Sequence, residues 1–354
     1  MSQRMNRAAL FEKLAPLSIE RLREVVWTVY WRGSADVRER IEDALTLPSA
    51  LPKPRRDAEP DTAALLFEVE QFVALARSGA YMGGTREVHR NERSKWRVTF
   101  RRLIDDAVRA VSAGDLDRGR RALEALLDLA CDCHDHEYFH SDDPVAAMRL
   151  VVSDKVKLLW LAALEHEGFP AFVRRAAPQL IRWETRYGWT RTGFHAICEH
   201  EVPLADVIAE LLRTRGGLDH WTAFADAYVT ALGAAPKPSS YGWDREYGLK
   251  RRTDHLSRFH ELLLERLAGT EAEDRLDRIA THPALAGPEL LFFQARLAHR
   301  RGDLDDARRL VSESLHDLPG HHGFLAFAKQ IAAPLPPRAR AVAQKRERAA
   351  PLRG

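Results

Sequence analysis

A chain of 354 residues with 45% hydrophobic content carries enough apolar surface for a sizeable core, as one elongated array or as about two to three domains. Its 54 basic and 51 acidic residues leave a formal charge of only +3, which argues against a dedicated nucleic-acid binder with a large, clustered basic excess. Three cysteines are too few, and odd in number, for a disulfide framework, so a reducing compartment is expected.

The first residues, MSQRMNRAALFEKLAPL, lack a sustained apolar core followed by a small-residue cleavage site, so no secretory signal is expected. The longest apolar run, Leu158 to Leu164, is far shorter than the roughly 20 residues a membrane span needs. A cytoplasmic protein with no membrane partner is the expectation. Between Ser18 and Trp31, Ile19, Leu22, Val26 and Val29 fall on one helix face behind a Ser18 cap. Gly33 ends that helix, and Ser34 starts a second to about Leu47, which gives an N-terminal hairpin over 1–47.

The four prolines between Leu47 and Pro60 mark 48–60 as a linker. A main helical body over 61–233 follows, with helices predicted at 61–78, 85–113, 116–130, 143–166, 169–187, 203–214 and 217–232. A Pro/Gly/Ser-rich loop at 234–245 precedes a C-terminal block of hairpins over 246–333, with helices at 246–267, 270–281, 287–300, 304–317 and 320–332. Residues 334–354 carry six basic side chains against one acid and read as a disordered basic tail. No stretch has the period-two alternation of a half-buried strand. The predicted fold class is all-α, built of stacked antiparallel helical hairpins.

The chain repeats itself. Gly114 opens GDLDRGRRALEALLDLA and Gly302 opens GDLDDARRLVSESLHDLP. In each, a glycine ends one helix, an aspartate starts the next, and a small residue, Gly119 or Ala307, lets two helices approach closely. With Leu315 and Pro319, the second copy (about 289–322) resembles the tetratricopeptide-like helical hairpin, which implies a tetratricopeptide-like α-solenoid and a protein-binding role. Over about 65–172 the order of elements is similar to the helical region accompanying bacterial SWIM-type zinc-finger proteins: a glycine break at Gly83 and Gly84, a long helix, the GDLDRGRR helix, an acidic turn at Ser141 to Asp143, and another long helix. Cys131, Cys133, Cys198 and His200 follow the Cys-x-Cys, Cys-x-His order of a SWIM finger, although 64 residues separate the halves where that family has a short loop.

Three clusters are candidate sites. CDCHDHEYFHSDD, from Cys131 to Asp143, is rich in zinc-ligand types, and a helix continuing through it would place Cys133, His136 and His140 on one face. The simpler expectation is that Cys131 and Cys198 are small buried hydrophobes, that the histidines complement a helix C-terminus, and that no cofactor binds. Arg86, Arg90, Arg93, Arg97 and Arg101 fall at i, i+4, i+7, i+11 and i+15, a stripe for a phosphate backbone or an acidic partner, with Trp96 and Phe100 beside it. On a solvated face the same arginines would cover apolar surface or pair with neighbouring acids. Trp243 and Tyr247 are the aromatic candidates for a partner surface.

There is no Walker loop, no dinucleotide fingerprint, no G-x-S-x-G and no H-E-x-x-H. The leading expectation is a non-enzymatic helical scaffold or adaptor that binds a protein along a groove between hairpins. The alternative is a nucleic-acid-associated factor using the Arg86–Arg102 stripe and the basic tail, and a third reading is a metal-binding protein or enzyme with a zinc site at Cys131–His140.

Overall fold

The helical period of the apolar residues is realised along most of the described residues. The computed structural model describes residues 15–34, 37–38, 41, 61–82, 88, 93–133, 136–141, 143–187, 200–215, 217–233 and 242–349, and among these it holds fifteen helices and no strand. They are α1 Ile19–Arg32, α2 Thr62–Arg77, α3 Trp96–Ser112, α4 Arg118–Asp132, α5 Pro144–Met148, α6 Val152–His166, α7 Phe169–Tyr187, α8 Leu204–Arg215, α9 Leu218–Leu232, α10 Gly242–Leu267, α11 Asp274–Ala280, α12 Pro288–Arg300, α13 Leu304–Asp317, α14 His322–Gln330 and α15 Pro337–Ala349. The fold is all-α. No helix among the described residues is long and apolar enough to cross a membrane.

The chain divides into two compact units, Met1–Glu59 and Pro60–Gly354. In the first, Ser18 caps α1 through the Arg21 N–H, as expected. The helix exposes Ile19, Val26, Trp27, Val29 and Trp31, with the Trp27 ring stacked on Tyr30 and Trp31. Most of the predicted second helix of this hairpin, and all of the 48–60 linker, lie outside the described residues.

In the second unit, helix packing largely follows chain order. α2, α3 and α4 pack together; α7 touches α4, α6, α9 and α10; α10 packs on α12; α13 carries α12, α14 and α15. One continuous core runs from Leu65 to Leu297, and a smaller one joins α12 to α15.

The two GDLD turns have the same geometry. Gly114 and Gly302 take the left-handed conformation, with φ of 94° and 85°. In each, the following aspartate N–H bonds back to an alanine carbonyl (Asp115 to Ala110, Asp303 to Ala298), and the glycine N–H bonds to Val111 or His299. This double bond pattern is the Schellman close, which satisfies carbonyls a helix end would otherwise leave bare. Each aspartate then caps the next helix, through Arg118 N–H and Asp306 N–H.

A polar seam runs through the α4–α6–α7 interface. Trp160 Nε1 donates to Gln179 Oε1 at 2.8 Å, Gln179 Nε2 donates to Glu124 Oε1 at 2.9 Å, and Trp183 Nε1 donates to Asp128 Oδ1 at 2.8 Å. Both indoles are fully buried, so each N–H needs such a partner. Burial pushes the Glu124 and Asp128 carboxyls up, against the pull of these donors and of Arg120 and Arg182.

Four sequence expectations need correction. The helix expected over 85–113 is broken by a turn at Ser94 and Lys95, after which α3 starts at Trp96. The one expected over 143–166 is two: Asp143 caps α5, and Arg149, with φ of 52°, turns the chain left-handed before α6. Arg101 donates to the Met148 carbonyl there, which holds the end of α5. The first N–H groups of α6 are then taken by a remote carboxylate, as Glu201 accepts from Val152 and Ser153. The helix expected at 116–130 extends to Asp132 and stops there, with Cys133 as its C-cap. Finally, Pro337–Ala349 of the expected disordered tail is helical: Ala339 is buried in the smaller core, and Arg346 donates to the Gly320 carbonyl at 2.8 Å. The buried Ala339 and one guanidinium tie it to the smaller core, although composition alone reads as disorder.

The end of α14 repeats the left-handed close without a glycine. Ala332 takes φ of 51°, and Ala333 N–H bonds to the Ala328 carbonyl. Because the Ala332 side chain is exposed and a Cβ in this region costs energy, Ala332→Gly is expected to stabilise the protein by about 1 kcal/mol, read by thermal melting. A lower melting temperature would show that Ala332 is not strained there.

Candidate functional site

Of the arginine stripe, Arg86 and Arg90 lie outside the described residues. Arg93 precedes α3, and its Nε donates to the Val88 carbonyl at 2.9 Å. Arg97 and Arg101 are on α3, with Arg101 engaged at Met148 and the adjacent Arg102 paired with Glu68 and Asp106. Trp96 and Phe100 face the core instead of flanking the arginines. Arg93, Arg97 and Arg101 therefore do not lie on one helix with the aromatics beside them. Arg101 and Arg102 bind neighbouring elements, and Arg93 bonds the backbone five residues upstream.

The Cys/His cluster is also rearranged. Because α4 ends at Asp132, Cys133, His136 and His140 share no helix face. Among the described residues, no group of three or more His, Cys, Asp or Glu side chains is gathered to hold a metal ion. Burial, and then the Asp132 and Asp143 charges, push the Cys133 thiol up to about 12. Cys131 is a buried member of the core. What the segment delivers is Phe139, wholly buried and stacked on Trp96 with ring centroids 4.2 Å apart. Trp243 and Tyr247 sit in the first turns of α10, and their side chains fall outside the described residues, as does Cys198.

The site that sequence reasoning missed is a cleft of about 300 Å³ between α10, α12 and the start of α14. Its polar lining comes from Arg258 and Glu261 on α10, Glu289 and Arg296 on α12, and His321 at the N-cap of α14; Phe292 and Phe293 supply the apolar wall. Glu261 lies between the two guanidiniums, 2.6 Å from Arg258 and 3.1 Å from Arg296. Burial alone would raise its carboxyl, but these two arginines hold it below the usual range. Arg258 also reaches Asp206 on α8 at 2.9 Å, and Arg296 lies over the Phe292 ring.

Glu289, only 8% exposed, sits in the first turn of α12, where the helix dipole favours an anion. Its Oε1 is 3.2 Å from His321 Nε2. The Phe324 N–H donates to His321 Nδ1, so the ring proton lies on Nε2 and the imidazole is uncharged in this arrangement. Beneath the cleft, His260 is fully buried, 2.7 Å from the Tyr228 hydroxyl through Nε2, and its Nδ1 has no hydrogen-bond partner. Burial lowers His260 to about 3, so it is neutral at any physiological pH.

The only trace of this cleft in the sequence is spacing: Arg258 and Glu261 at i, i+3 and Glu289 and Arg296 at i, i+7 each share a helix face. The chain matches no protein-family model, no curated protein and no solved structure.

Proposed function

We propose that this protein is a non-enzymatic helical scaffold that binds another protein, and that the cleft between α10, α12 and α14 receives a segment of that partner. The observation that carries this reading is the lining itself. Aromatic wall, guanidiniums and carboxylates share one open groove between packed helices, the mixture that anchors partner side chains at protein interfaces. We read the hairpins on either side as tetratricopeptide-like, an arrangement whose grooves are working surfaces.

Gly323 offers a clean test. It lines the groove, its backbone is not left-handed, and a Cβ there would only touch the His321 ring at 3.4 Å. Gly323→Leu is expected to fill the groove mouth while the melting temperature holds. In a pull-down from native extract, a stoichiometric protein partner should survive nuclease treatment and be lost from this variant. Equal capture by both forms would overturn the groove as the binding surface.

One observation favours a second reading, association with nucleic acid. Arg338, Lys345 and Arg348 are exposed along one face of α15 and pair with no carboxylate among the described residues. Reversing all three to glutamate should abolish retention on a heparin column if that face is the working one, and unchanged retention would remove it.

A further inference from the structure

We infer that the cleft between α10, α12 and α14 selects a basic side chain, a lysine or arginine of a partner polypeptide, and seats its cation against Glu289. The inference rests on the protein-binding reading above and names the chemistry that site recognises.

The first support is charge. Around the cleft, the guanidiniums of Arg258 and Arg296 meet three carboxylates, Asp206, Glu261 and Glu289. The two imidazoles add nothing to the cationic side: the ring proton of His321 is already spent on Glu289, and His260 is neutral. The lining itself is balanced, two guanidiniums to two carboxylates, because Asp206 lies outside it, but its cations are unevenly placed. Glu261 is bracketed by both arginines, while Glu289 has only the uncharged His321. A carboxylate withdrawn from water without a cation is costly, and a charge-assisted bond from an ammonium or guanidinium removes that cost.

The second support is polar capacity. Glu289 Oε1 accepts from His321, and no protein group among the described residues engages Oε2. A carboxylate takes several donors, so an entering cation adds to the His321 bond without displacing it. The third is size. About 300 Å³ is the lower limit of small-molecule pockets, too small for a large cofactor but enough for one long side chain with its backbone at the rim. Phe292 and Phe293 offer apolar surface to the methylene stem of such a side chain. Anions are disfavoured by the same arrangement, since both arginines are already committed to internal carboxylates.

The test is a fully randomised hexapeptide library screened against the full chain, followed by calorimetry on the selected peptide. Lysine or arginine should be enriched at one position, and replacing it by norleucine should weaken binding at least tenfold. Glu289→Gln keeps an acceptor for His321, so the fold should hold while affinity for the basic peptide falls tenfold or more. Gly323→Leu should abolish binding.

Enrichment of acidic or purely apolar residues, still blocked by Gly323→Leu, would overturn this inference and leave the groove as a protein-binding surface. Unchanged affinity in Glu289→Gln would overturn it as well. If no peptide binds at millimolar concentration, the inference fails; the groove reading fails with it only if the pull-down partner is also retained by Gly323→Leu.

Discussion

Phe139→Ala is expected to cost about 3–5 kcal/mol, the largest loss from any single truncation we anticipate. Phe139 sits among four aromatic rings, Trp96, Tyr81, Phe100 and Phe72, with centroids 4.2, 5.5, 5.9 and 6.0 Å away. It joins α2, the turn after it, and α3, yet belongs to no helix itself. Truncation would therefore leave a cavity, and would also remove the one buried anchor among the described residues between Cys133 and Asp143, where His136 and His140 are exposed. His140→Ala, one residue along, should change stability by no more than about 0.5 kcal/mol. Denaturant unfolding of the two variants separates the effects. Equal midpoints would show that the aromatic cluster does not hold this segment.

That contrast shows where the sequence was legible and where it was not. Helices with a strong 3.6 period and glycine or aspartate punctuation are found in place. α13 runs over 304–317 and α7 over 169–187, as the pattern predicts, because the signals that start and stop them are local. The Cys131–Asp143 stretch misleads because ligand-type residues are conspicuous, while a single phenylalanine in a polar run has no period to announce it. The break at Arg149 is invisible for a different reason. Its left-handed residue is not glycine, and Met148 is held by an arginine 47 positions upstream. The cleft shares that character: Arg258, Glu261, Glu289 and Arg296 each look like ordinary surface charges until α10 packs on α12.

The buried ionisable groups of the α4–α7 seam follow the same rule of non-local assembly. Glu124, Asp128 and Asp132 recur every fourth residue, a spacing that reads as a solvated helix face. The structure turns this face onto α7 and Arg77 instead, and matches it with Gln179, Trp183, Arg182 and Arg77. Each acid gains a donor on the opposing helix, which fixes the sliding register of one helix against another more tightly than apolar contacts alone.

Gly119→Val tests the close approach that the repeated turn implies, with an expected loss of about 3 kcal/mol. A Cβ at Gly119 would stand 2.7 Å from the Ala110 Cβ and 3.0 Å from the Val111 nitrogen, so helices α3 and α4 would have to separate. Separation is costly here, because Ala110, Val111, Leu123 and Leu126 beside the crossing are all buried. Ala110→Gly in the same chain removes the nearest methyl but not the Val111 backbone, so it should recover only about 1 kcal/mol of coupling in a double-mutant cycle. The equivalent pair in the second hairpin is Ala298 and Ala307, where two methyls are accommodated and Ala307 is fully buried. Ala307→Gly should accordingly lose about 1 kcal/mol, from helix propensity and a small void, with no relief of strain. If Gly119→Val unfolds at the wild-type midpoint, the two hairpins do not share a close-packed crossing, and their common GDLD signature specifies the turn alone.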